Sequence, residues 1–375
     1  MDLTTNDDVQ YQIALSITPG VGPAVGKFLL EEYGSAQAVF KAPEKELEKL
    51  PGVTPRVIVP LKDNASLKRA EKELNFITKH GIEVFCIQDT HYPRRLKRSP
   101  FAPLVLFGKG LMDLNTEKMV SVVGTRRVTP YGREMTQSLV KDLAVHGVTI
   151  VSGLALGVDI NAHRAALEAG LQTVAVLAHG LDRVYPPQHR EEAKQMLKHG
   201  GLLTYFTSVT NPDKGNFPDR NRIIAGLSDA TVVVESRLQG GSMITAELAS
   251  SYNRDVFAFP GRAKDLNSTG CNLLIKSHRA ALIEDARDME YQMGWQRDLA
   301  QKNKKQKSNV QRKLFVELSP EEEKIVDILK ENDKLPIDEI GQLIEKPAGA
   351  VSLHLFNLEM NGLVKALPGK IYALN

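Results

Sequence analysis

The chain has 375 residues, of which 25% are charged, and a formal net charge of only +3. That length suffices for two or three domains with cores of their own, and the near balance of charge means that a nucleic-acid partner must be met by a local basic patch. Two cysteines are too few for a disulfide framework, residues 1–10 are polar and acidic unlike a signal peptide, and no apolar run approaches ~18 residues, so the reading is a soluble cytoplasmic protein without a membrane anchor.

Residues 8–16 have a short helical pattern and lead into Thr18-Pro19-Gly20-Val21-Gly22-Pro23. The glycine spacing superficially suits a dinucleotide fingerprint. The preceding segment is helical rather than extended, however, and Pro23 falls inside the turn, so the motif's context fails. A second Pro-Gly-Val turn stands at Leu50-Pro51-Gly52-Val53. Such turns between short helices resemble a helix-hairpin-helix, whose amides hold a nucleic-acid phosphate; they serve equally well for packing alone. Residues 67–80 read as a further helix with Leu74 and Ile77 on one face. Residues 1–80 are therefore taken as a helical domain of the SAM or helix-hairpin-helix kind.

Strands are expected at 82–87 and 103–108, with a small basic cluster of Arg94, Arg95, Lys97 and Arg98 between them that reads as a solvated face. From Met119 strands and helices alternate regularly. Short β-branched runs at 119–123, 148–151, 173–177, 202–205, 231–234 and 256–259 alternate with helical patterns at 131–146, 158–169, 188–199, 220–227 and 243–252. This alternation specifies an α/β fold, a doubly wound, mostly parallel sheet of the Rossmann-like kind, over residues 81–290. Residues 291–318 read as a basic linker, with six Lys and Arg between 302 and 313. At 319–375, Ser319-Pro320-Glu321-Glu322 is a strong helix start. Two more helices (337–344 and 349–361) and a hairpin (363–367 with 370–374) complete a pattern that resembles a winged helix.

In an open parallel sheet the ligand crevice lies at the carboxyl ends of the strands. The segments expected there are Gly124-Thr125-Arg126-Arg127, Ser152-Gly153, the stretch 179–186, Lys214-Gly215-Asn216-Phe217-Pro218-Asp219-Arg220-Asn221-Arg222, and Gly240-Gly241-Ser242 with Thr245. Glycine turns and helix N-termini offer backbone amides to phosphate, and Arg126, Arg127, Lys214, Arg220, Arg222 and Arg237 add cations. An aromatic residue beside phosphate anchors suits an unpaired base, so Phe217 points to single strands. Each feature also has a plain structural reading. Glycine turns link strands to helices, Arg220 or Arg222 could pair with Asp219 or Glu235, and Phe217 could be core. Asp159 and His163, at i and i+4, could form an acid–base pair, or cap the helix and pack beneath the glycine loop. No Walker motif, dinucleotide fingerprint, nucleophile elbow or metal-spaced His/Cys cluster occurs, so no cofactor is expected.

Gly124-Thr125-Arg126, Ser152-Gly153-Leu154-Ala155 with Gly157-Val158-Asp159, Phe217-Pro218-x-Arg220-Asn221-Arg222, Gly241-Ser242 with Thr245-Ala246, and Gly270-x-Asn272-x-Leu274-Ile275 together resemble the DNA-processing protein DprA (Smf) family. The resemblance covers about residues 103–288 in order. It implies a single-stranded DNA binder without enzymatic turnover that forms a homodimer through its core. It further implies protection of incoming DNA and loading of the RecA recombinase in natural transformation. Pocket contacts would fall on Arg126, Lys214 and Phe217, with the Ser152-Gly153 and Gly240-Gly241-Ser242 loops around them. Departures from the family pattern are Thr204-Tyr205 for a usual Ser-Glu, His189 for Asn, Gly240 for Ser, and Arg279 for a glycine that bears on the final turn. The third helix of the winged helix has no Lys or Arg, which disfavours reading of the major groove and favours a protein contact. One alternative is an enzyme. Gly240–Thr245 with Glu247 resembles the loop of nucleotide phosphoribohydrolases, in which a glutamate assists cleavage of the N-glycosidic bond. A pure scaffold with an unused pocket is the other.

Overall fold

The computed structural model describes residues 6–295 and 318–374, so most of the expected linker lies outside the described residues. Its contacts divide the chain into two compact units, Met1–Glu284 and Asp285–Asn375.

The first unit opens with six helices: α1 (Asn6–Ile17), α2 (Pro23–Tyr33), α3 (Ala36–Lys41), α4 (Glu44–Leu47), α5 (Pro55–Lys62) and α6 (Ala65–His80). The two Pro-Gly-Val turns join α1 to α2 and α4 to α5. Gly20 lies so close to the start of α5 that a Cβ there would meet the carbonyl oxygen of Arg56 at 2.6 Å, so the first turn serves packing between the helix pairs. The helices do not keep a core to themselves. Ile13, Leu29 and Val39 belong to one apolar cluster with Phe85, Leu106 and Met119 of the sheet.

That sheet is built from β1 (Glu83–Cys86), α7 (Arg94–Lys97), β2 (Val105–Gly110), β3 (Met119–Val123), α8 (Pro130–Leu143), β4 (Thr149–Ser152), α9 (Val158–Glu168), β5 (Thr173–Val176), α10 (Arg190–Met196), β6 (Gly200–Thr204), α11 (Asn216–Leu227), β7 (Ala230–Val233), α12 (Gly241–Ser251), β8 (Asp255–Ala258), α13 (Thr269–Lys276) and β9 (Ala281–Leu282). Nine strands run in the order β1-β2-β6-β5-β4-β3-β7-β8-β9. From β6 to β9 all neighbours are parallel, and β2 and β1 extend the sheet antiparallel beyond β6. Strands β3 to β7 are buried along their whole length, as a parallel sheet with helices on both faces requires. The chain winds outward from β3 through β6, then returns to lay β7 on the other flank of β3. The topological switch point therefore falls between β3 and β7, and with it the crevice.

α13 and the two-residue strand β9 follow β8 beyond the last strand expected from the sequence. The helix after β6 begins at Asn216, four residues before the expected Arg220. Pro218 is tolerated because an amide in the first helical turn needs no partner within the helix. At the last turn before β9 the left-handed conformation is taken by His278 (φ 55°), and Arg279 instead forms an ion pair with Glu247 at 3.1 Å.

The second unit comprises α14 (Ala286–Gln292), α15 (Pro320–Glu331), β10 (Leu335–Pro336), α16 (Ile337–Leu343), α17 (Ala348–Met360), β11 (Val364–Leu367) and β12 (Ile371–Leu374). The expected start of α15 is present as a full capping box, with Ser319 Oγ accepting from the Glu322 amide and Glu322 Oε2 from the Ser319 amide. Strand β10 adds a third strand to the hairpin. Ile325, Leu329, Ile340, Val351, Leu355 and Leu358 form the core of this winged helix.

Candidate nucleic-acid interface

At the switch point the loops after β3 and β7 are tied together. The Thr125 amide donates to the Glu235 carbonyl at 2.7 Å. The Glu235 carboxylate is buried and accepts from both the amide (2.9 Å) and the hydroxyl (2.5 Å) of Thr129, the N-cap of α8. It is thus a structural clamp, not a partner of Arg220 or Arg222. Between the loops lies an open cleft. Gly124, Thr125, Arg126, Phe217, Arg220, Asn221, Arg237, Gly240, Gly241, Ser242 and Thr245, all expected at this edge, line it together with Asp159, Ser236 and Gln239. Gly240 is the N-cap of α12 and makes no side-chain cap, so the helix offers its first amides there.

The wall formed by α11 is assembled around a buried ion pair. Phe217, Arg220 and Asn221 sit at i, i+3 and i+4 and share one face of the helix. The Arg220 side chain is only 5% exposed, and its Nη1 lies 3.7 Å from Asp159 Oδ2. Asp159 also accepts the Gly153 amide at 3.2 Å. Burial raises the Asp159 carboxyl above its ordinary range, while the Arg220 charge beside it pulls the other way. Gly153 is required by close approach, because a Cβ there would fall on the Arg220 guanidinium. Arg220 Nε has no partner within the protein. In front of this pair the Arg126 guanidinium lies 5.0 Å from the centre of the Phe217 ring, and that of Arg220 lies 5.7 Å from it. A second, smaller cavity shares Arg126, Ala155, Phe217 and Arg220 with the cleft and continues past them to His179 and Tyr185.

Other expected residues are placed elsewhere. Ser152 is fully buried and donates to the Val122 carbonyl at 2.7 Å, which fixes β4 against β3. Arg222 is turned away from the Phe217 face: its Nε is 3.4 Å from Asp219, and its guanidinium lies over Phe101 at 5.1 Å. Arg127 and Lys214 are exposed near the site but are not part of the cleft wall. The residues at 159 and 163 do not act as a pair. His163 Nδ1 donates to Thr173 Oγ1 at 2.7 Å, whose own hydroxyl goes to the Ile150 carbonyl, and burial lowers the imidazole pKa to about 3. Glu247 is engaged with Arg279 and is not among the residues lining the cleft. The family departures are absorbed locally. Thr204 Oγ1 donates to the His179 carbonyl, the Tyr205 hydroxyl donates to Asp219, and His189 Nδ1 bonds the Leu154 carbonyl.

The family model for DNA recombination-mediator protein A matches residues 83–294, more than half of the chain. The chain belongs to the DprA family. A model for the DprA winged helix domain matches residues 316–370. Protein Smf of Synechocystis sp. is 34% identical over 75% of this chain and 71% of its own length. DNA processing protein DprA of Bacillus subtilis is 39% identical over 54% of this chain and 68% of its own. Among solved structures, DNA processing protein A from Streptococcus pneumoniae superposes with a TM-score of 0.62 at 30% identity, covering 77% of this chain and 98% of that one. DNA processing protein A from Helicobacter pylori, solved for its single-stranded DNA binding mode, gives 0.51 at 32% identity over 56% and 93%. The fold and family implied by the sequence motifs therefore hold, and with them a role in DNA processing. No helix among the described residues is long and apolar enough to cross a membrane.

Proposed function

We propose that this chain is a non-enzymatic recombination mediator that holds single-stranded DNA along the β3/β7 crevice. The observation that carries this reading is the Arg126–Phe217–Arg220 stack at the mouth of a cleft bordered by glycine loops. Amides and arginines serve the phosphates, and an aromatic ring among them has a use only where bases are unpaired, because a duplex hides the faces of its bases. Protection of incoming strands, loading of the RecA recombinase in natural transformation, homodimerisation through the Rossmann-like core and a cytoplasmic location complete the proposal. They are supported by family membership. The displacement of Glu247 to an exposed ion pair with Arg279 weighs against the phosphoribohydrolase alternative, which needs that carboxylate beside the glycosidic bond.

The test is fluorescence anisotropy with a labelled oligo-dT and a matching duplex across a salt series. Tight binding of the single strand, weaker binding of the duplex and a steep salt dependence are expected, the slope being about −0.7 per phosphate neutralised on a single strand. Equal affinity for both forms sinks the reading.

A further inference from the structure

The cleft accounts for the loops after β3 and β7 but not for a buried ionic cluster elsewhere in the first unit. There, α6 of the helical segment meets the turn that leaves β6. Glu73 is 2% exposed and carries a full carboxylate into that contact. Its Oε1 accepts the Ser208 amide at 2.8 Å and its Oε2 accepts the Ser208 hydroxyl at 2.6 Å. Arg69, one turn earlier, holds Glu73 Oε2 at 2.9 Å and donates to the Ser208 carbonyl at 2.6 Å. One residue of the turn is thus gripped at its amide, its hydroxyl and its carbonyl by two residues more than 130 positions away in sequence. Simple packing of a helix on a sheet needs none of this, and burying a charge is costly unless every lone pair is used.

The next residue shows what the grip sustains. Val209 stands at φ 68°, in the left-handed region that a β-branched side chain avoids. Such a conformation persists only where its surroundings over-determine it. Ser208 is fixed from α6, and the Val209 amide is fixed by Asp182 Oδ1 at 3.0 Å from the loop after β5. The chain then runs through Asn211, whose carbonyl takes Asn216 Nδ2 at 2.9 Å, past Lys214 and into the first turn of α11, where Phe217 stands against Arg126.

We propose that Arg69 and Glu73 are positioning residues for the DNA site: they hold the strained turn at Ser208-Val209 and so fix where Lys214 and the start of α11 meet the strand. This rests on the single-strand reading above. It makes the helical segment a determinant of DNA affinity without itself touching DNA. When the clamp is released, Val209 relaxes out of the left-handed region and the loop carrying Lys214 moves with it.

A double-mutant cycle separates this from mere structural support. Glu73→Gln, Lys214→Ala and the double variant of the full chain are titrated with labelled oligo-dT well below their melting temperatures. Hydrogen exchange is followed over residues 205–216. Each single variant is expected to weaken binding about tenfold, and the double variant no more than about twofold beyond Lys214→Ala, since residues acting through one element are non-additive. Exchange should quicken in 205–216 but not in β3 or β4. Val209→Gly, which removes the strain, should restore most of the affinity lost in Glu73→Gln, and it carries the test if Glu73→Gln alone melts too low: Glu73→Gln/Val209→Gly must then bind like Val209→Gly. Additive losses, or a Glu73→Gln protein that binds like wild type while Lys214→Ala does not, overturn the positioning role and leave the DNA reading standing. Unchanged binding in Lys214→Ala removes the DNA role of this loop and the proposal with it.

Discussion

α11 of the core and α17 of the winged helix are the helices that their folds would offer to a nucleic acid, and they carry opposite chemistry. α11 turns Phe217 and a buried Arg220 into a cleft, with Arg126 at its mouth and Arg127 and Lys214 exposed nearby. α17 holds the place of a recognition helix but has no cation. Its outer face carries Leu353, Phe356 and Met360, which are 62%, 58% and 73% exposed. A helix that reads DNA needs donors aimed at base edges or phosphates. The difference teaches that the place of a recognition helix does not by itself supply the donors that reading DNA needs, whereas a cleft at a topological switch point carries its cations regardless of the protein's small net charge.

The largest effect that tests this contrast is on stability. Asp159→Ala leaves the Arg220 guanidinium buried without its counter-charge and should destabilise the first unit by about 3–5 kcal/mol, measured by denaturant unfolding. A loss under about 1 kcal/mol would mean that Arg220 is not held as a buried ion. The next effect is a pH dependence from His163. Its folded pKa of about 3 lies below the ~6.5 of an unfolded chain, so between those values the unfolded state binds the extra proton and stability falls as pH falls. From pH 7 to pH 5 the loss should be about 2 kcal/mol, at 1.36 kcal/mol per pH unit below the unfolded pKa. His163→Gln should flatten that part of the profile, and an unchanged slope in the variant would assign the effect elsewhere.

The contrast between the two helices was legible in the sequence only in part. The β-branched runs placed β3, β4, β5 and β7 within a residue or two, because buried parallel strands leave a strong apolar signal, and the missing cations of α17 were plain. The strand order put the glycine loops at one edge as expected. What misled was the start of α11. With Pro218 and Asp219 as loop, the sequence leaves Arg220 and Arg222 equivalent. Helical geometry from Asn216 instead puts Arg220 with Phe217 and turns Arg222 toward Phe101. Ser152 likewise looked like a loop ligand but ends β4, its hydroxyl spent on the Val122 carbonyl. The Glu73–Ser208 grip left no local trace, since neither residue belongs to a motif and their contact is made only by the fold.

Binding measurements carry the smaller effects. Arg126→Ala should weaken oligo-dT binding about tenfold and lower the salt slope by about 0.7, one phosphate contact on a single strand. The loss should be uniform over base sequence, because a guanidinium at the cleft mouth reads phosphate and ring faces rather than base edges. A variant as tight as wild type would remove the stack from the site.

The smallest expected effect is the sharpest on the other helix. Replacing Leu353, Phe356 and Met360 together by serine changes a face that is already in water, so the fold should keep its stability within about 0.5 kcal/mol per site. If α17 contributed to DNA affinity through apolar contact with bases, the triple variant would lose binding to oligo-dT and Arg126→Ala would lose less in that background. If the core alone binds the strand, affinity stays within about twofold and the salt slope is unchanged, because no phosphate contact has been removed. The second outcome is the expected one: three large apolar side chains aligned on one exposed helix face offer a protein surface a great deal and a polyanion almost nothing.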